Sequence, residues 1–132
     1  MFQPPYIACI LFLTVITGFA QSSDTILAEI LVQPQENNLV AITGVGINNS
    51  LQTEQLHYTL IIQKKSRTGN TSNNEQRGTF ILGPHYKKTL STTTINFESR
   101  DQTEITLTLF NSKHVQIAQQ QRLLSAEDSI KN

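Results

Sequence analysis

Tryptophan is absent from this chain and cysteine is nearly so. Cys9 stands inside an apolar opening run, so the rest of the sequence holds no disulfide, no thiol redox couple and no thiolate-bound metal. With no Trp and 3 Tyr, an aromatic platform for sugars or single-stranded nucleic acid has no basis. Net charge is missing too. The 10 basic and 10 acidic residues cancel, so no bulk field steers the molecule toward nucleic acid or an anionic membrane. The 3 histidines, His57, His85 and His114, lie in separate segments without a partner at metal-binding spacing. No serine sits in a Gly-x-Ser-x-Gly turn and no cysteine nucleophile follows the opening run. The composition therefore reads as a binding protein without cofactor or metal, not as an enzyme.

What is present begins with that run. Tyr6 to Ala20 is almost wholly apolar and uncharged and ends in Gly18-Phe19-Ala20, whose Gly18 and Ala20 put small residues at the positions a signal peptidase reads. It suits the core of a signal peptide and falls short of the ~20 residues that a spanning helix needs. Residues 1–20 are read as a signal peptide cleaved after Ala20, which sends the protein to a periplasm without stable membrane insertion. The segment carries no Lys or Arg, and an uncleaved anchor is the alternative. Residues 21–132 hold every charge; a domain of this size buries roughly 65% of its unfolded surface, enough for one core.

Within that domain, apolar residues alternate. Strands are expected at Ile26 to Val32, Leu39 to Asn48, Leu56 to Lys65, Gln76 to Leu82, Thr89 to Phe97, Glu104 to Phe110 and His114 to Gln121. Gly44 and Gly46 inside the second imply a bulge or a close backbone approach. About seven short antiparallel strands with turn signals between them predict an all-β, immunoglobulin-like β-sandwich over residues 21–122, with 123–132 as a C-terminal tail. Leu60, Ile62, Phe80, Leu82, Ile105, Leu107, Leu109 and Ile117 are the expected core. The polar stretch Gly69 to Glu75 reads as a mobile loop. Glu98, Asp101 and Glu104 read as a solvated acidic turn, since Arg100 interrupts them and their spacing matches no calcium loop.

Charge is balanced overall but not locally. Lys64, Lys65, Arg67, Arg77, Lys87 and Lys88 fall within one stretch that contains a single acidic residue, Glu75. Ile61 points away from Leu60 and Ile62, an apolar residue on the face meant for solvent. Ile61, Lys64, Lys65, Arg67 and Arg77 are the candidate client-binding residues. The alternative is that these cations only keep exposed strand edges from pairing with another copy; on either reading the domain is expected to be a monomer.

Leu56-x-Tyr58-x-Leu60, Lys65, Gly69, Ser72, Gln76-x-Gly78-x-Phe80 and Leu90-Ser91 resemble the pattern of curli assembly proteins of the CsgC/CsgH type, the CsgH branch above all. The resemblance covers residues 39–118. It implies a periplasmic immunoglobulin-like sandwich that keeps its client, the amyloid-forming major curli subunit, from polymerising before secretion. It supplies no catalytic residue and no cofactor. The Cys-x-Cys pair of the CsgC branch has no counterpart here, so a redox role does not carry over. A structural or adhesive component of an extracellular fibre is the other reading of such a sandwich.

Overall fold

A computed structural model describes residues 25–98 and 100–125; the expected signal peptide and nearly all of the C-terminal tail lie outside them. Seven strands follow in chain order: β1 Ile26–Pro34, β2 Leu39–Asn48, β3 Glu54–Lys65, β4 Thr71–Leu82, β5 Lys87–Asn96, β6 Gln102–Phe110 and β7 Gln116–Leu124. All pair antiparallel, in two sheets with orders β1-β2-β5 and β4-β3-β6-β7. The immunoglobulin-like sandwich is thus present, with β4 beside β3 instead of joining the sheet of β1 and β2 as in constant-type domains. Among the described residues no helix is long and apolar enough to cross a membrane.

Period-2 alternation builds the core. On β3, Leu56, Leu60 and Ile62 point inward; on β6, Ile105, Leu107 and Leu109 do; Ile30, Val40, Ile42, Phe80 and Leu82 meet them. Each such side chain contributes roughly 1.5–3 kcal/mol when removed from water. Of the expected core, Ile117 is half-buried and packs against the cluster from β7. The bulge expected in β2 lies between Gly44 and Val45. Gly46 lies under Phe80, whose ring carbon would stand 3.3 Å from any Cβ there.

Several strand ends differ from the sequence reading by one or two residues, and two differ by more. Thr71 to Glu75 is not a loop: it pairs with Ile61 to Lys65 and lengthens β4 to 12 residues. The turn is confined to Ser66–Asn70, closed by hydrogen bonds from Ser66 N to Asn70 O (2.8 Å) and from Gly69 N to Ser66 O (3.0 Å). Backbone pairing with β3 makes this strand, since few of its side chains are apolar. At the other end, β7 continues past Arg122 because Leu124 is buried. Between β1 and β2, Asn37 and Asn38 have φ of 62° and 61°, the pair of left-handed residues that a type I′ hairpin turn requires.

Candidate functional site

The hairpin β3–β4 carries the candidate residues, but strand parity divides them. Ile61 lies on the outer face, 38% exposed, with Glu75 opposite on β4 and Thr106 opposite on β6. Lys65 is on the same face at the end of β3, where it lines a shallow groove of about 340 Å³ with Gln63, Thr71, Gln102, Glu104 and Leu123. Arg67 is exposed in the turn. Arg77 is on the outer face of β4, opposite Thr59 and ion-paired with Glu75. Six residues of strand separate its row from that of Lys65, about 20 Å. The cations therefore do not form one compact patch.

Lys64 belongs to the other face. It shares parity with Leu60 and Ile62, and its ammonium donates to Asn96 O at 2.8 Å and stands 4.0 Å from Asp101 Oδ2. Asp101 is 5% exposed and accepts from Glu98 N at 2.9 Å, so the acidic turn expected to be solvated is partly built into the protein. Lys64 ties the β5–β6 turn to the opposite sheet. Neither Lys64 nor Lys65 guards an edge, because β3 is an interior strand. Among the described residues, no group of three His, Cys, Asp or Glu is placed to hold a metal. His57 and His114 do come together, their rings stacked with centroids 4.2 Å apart beside Thr79, whose hydroxyl is 3.0 Å from His57 Nδ1. Nothing in their separate positions along the chain signalled this contact.

The strand edges differ from one another. Ile30 of β1 has its N–H bonded to the Gln120 side chain, and its carbonyl accepts from Arg122 at 3.4 Å; both partners are on β7. On β5, the Leu90 carbonyl accepts from the Tyr58 hydroxyl at 3.3 Å. On β4, Gln76 turns inward and hydrogen-bonds Ser91 and Thr93 of β5. Among the described residues, no side chain bonds the β4 backbone between Thr71 and Ile81. An edge strand of this length carries a row of free backbone donors and acceptors, a template for another strand.

This arrangement has counterparts of known structure. The E. coli curli protein CsgC matches over 73% of this chain and 96% of its own, with a TM-score of 0.60 and 16% identity. CsgH of R. palustris matches over 78% and 94%, with a TM-score of 0.56 and 20% identity. The fold is that of CsgC and CsgH. A single portion of Bacteroides uniformis beta-glucuronidase 2, 13% of that chain, shares it at a TM-score of 0.52 and 13% identity. No protein-family model matches the sequence, and no curated protein does. CsgC and CsgH are covered almost end to end, whereas the glucuronidase likeness is to one small piece of a far larger enzyme.

Proposed function

We propose that this protein is a periplasmic, chaperone-like inhibitor that keeps curli amyloid subunits from polymerising before secretion. The observation that carries the reading is the open edge of β4, from Thr71 to Ile81, on a sandwich of the CsgC and CsgH fold. An amyloid-forming client presents extended strands whose backbone groups seek a ladder, and an unpaired edge supplies one. Ile61 adds an apolar contact on the outer face beside that edge, Lys65 and Arg67 add positive charge near its start, and Arg77, paired with Glu75, keeps guanidinium donors to spare. Lys64, occupied by Asn96 and Asp101, is a structural residue in this reading. Residues 1–20 act as the export signal, and intact-mass measurement of the exported protein checks the mature start at Gln21.

The test is polymerisation of purified curli subunit followed with an amyloid dye. Added protein lengthens the lag, and charge reversal at Lys65, Arg67 and Arg77 shortens that delay, most clearly at low salt, since exposed charges act over about 8 Å at physiological ionic strength. An unchanged lag at every ratio of protein to subunit overturns the proposal and leaves a structural fibre component as the better reading. If the reversed variant delays as well as wild type at all salt concentrations, the cations are not part of the site.

A further inference from the structure

The charges on β4 form an inverted pair. Glu75 and Arg77 flank Gln76, both project from the outer face, and every other residue of the strand is uncharged. Consider a second copy lying antiparallel against this edge, related by a two-fold axis through Gln76. Glu75 of each chain then stands opposite Arg77 of the other, on the same face, as directly opposed residues must. Moving the two-fold axis onto Glu75 or onto Arg77 opposes like charges instead, so the charge pattern selects one register. Asn73 meets Thr79 and Thr71 meets Ile81 in that register, with no proline and no like charges in opposition.

We infer that two copies of this chain pair through their β4 edges about Gln76. Arg77 already holds its own Glu75, and a guanidinium has donors to spare for a second carboxylate, so four alternating charges close a ring across the axis. Gln76 does not obstruct the approach, because its side chain is turned inward onto Ser91 and Thr93. The two four-stranded sheets join into one continuous sheet whose outer strands are the two β7 strands, each linked to its own β1. The contact is isologous and closed, a dimer and not a filament. This departs from the monomer expected on sequence grounds. It also has a regulatory consequence that rests on the function proposed above: the dimer covers the edge assigned to the client and is the idle form.

The experiment is sedimentation equilibrium of the exported protein over a wide concentration range, at low and physiological salt. Wild type shows a reversible monomer–dimer equilibrium that weakens with salt. Glu75→Lys and Arg77→Glu each place like charges opposite one another and weaken self-association by about tenfold or more. An equimolar mixture of the two variants associates again. In the mixed dimer the introduced lysine faces the introduced glutamate, and the Arg77 kept by one chain faces the Glu75 kept by the other. A single chain carrying both reversals also restores the dimer. All substitutions are at exposed positions, and thermal unfolding confirms that each variant is folded. A wild type that stays monomeric, single variants that dimerise as well as wild type, or a mixture no better than its components each overturn the inference. A monomer that still delays fibre formation removes only the self-pairing. A dimer that dissociates normally but never delays fibres removes only the client reading.

Discussion

Replacing Asn48 tests how the two sheets are held at one end of the sandwich. Asn48 is fully buried at the end of β2. Its amide donates to Gln52 O at 2.7 Å and to Leu82 O at 3.0 Å, and its carbonyl accepts from Ser50 N at 2.8 Å and Ser50 Oγ at 2.7 Å. One side chain thus orders the β2–β3 connection and fastens it to the last residue of β4. Asn48→Ala removes four hydrogen bonds and strands the Leu82 carbonyl, while Ser50 Oγ still reaches Gln52 O at 3.1 Å. Net bonds are worth about 0.5–1.5 kcal/mol each and a stranded buried group about 1–3, so a loss of about 2–4 kcal/mol is expected after partial hydration of the loop. Asn48→Asp keeps the shape but replaces the two donated bonds with a carboxylate facing two carbonyls. It is the worse substitution at neutral pH.

The aspartate variant also fixes a sign. Burial against carbonyl oxygens raises the folded-state pKa of the introduced carboxyl above its unfolded value of about 3.9. Between those two values the native state binds more protons than the unfolded state, so stability rises as pH falls through the folded pKa. Urea unfolding at several pH values measures this, with the midpoint moving and the slope unchanged. A loss below about 0.5 kcal/mol for Asn48→Ala, or an Asp variant no worse than Ala at neutral pH, would refute the argument.

Gly78→Ala places a Cβ 2.7 Å from Tyr58 Cε1, so the ring must leave its contact with Phe80 and its bond to Leu90 O; a loss of about 1–3 kcal/mol is expected, and combining it with Tyr58→Leu gives less than the sum of the two singles. Lys64→Met leaves the Asp101 carboxylate without its cation and the Asn96 carbonyl without its donor, and lowers stability by about 1–2 kcal/mol in the same unfolding assay. The same variant delays fibre formation as well as wild type, in contrast to reversal at Lys65.

Alternation in the sequence was enough to place β2 at Leu39–Asn48 and to separate Leu60 and Ile62 from Ile61, because burial on one face writes itself into every second residue. It was silent for Thr71 to Glu75, where both faces are polar and the strand exists through its backbone pairing with β3. Lys64 falls in step with Leu60 and Ile62, so its inward aim is legible from parity, against its place among the client-binding candidates. The partners of that lysine were not legible, since Asn96 and Asp101 arrive from a distant turn. The stacking of His57 on His114 depends on the register that sets His57 against Phe110 and on the turn that follows β6. Edge and interior positions came only with the strand order, and with them the finding that the paired lysines stand on a central strand.

The bonds that Gln120 and Arg122 make to Ile30 give the molecule a polarity. A strand arriving at β4 meets free backbone, but the side where β1 and β7 meet is already spoken for in the middle of β1. Ladder growth needs a receptive surface at both ends of each added unit, one to join and one to be joined. A unit receptive on one flank terminates a stack instead of lengthening it. Terminators act at the few growing ends and not on the many free monomers, so their effect scales with the number of ends. Removing the two β7 side chains would free both backbone groups of Ile30 and offer an arriving strand a second place to join.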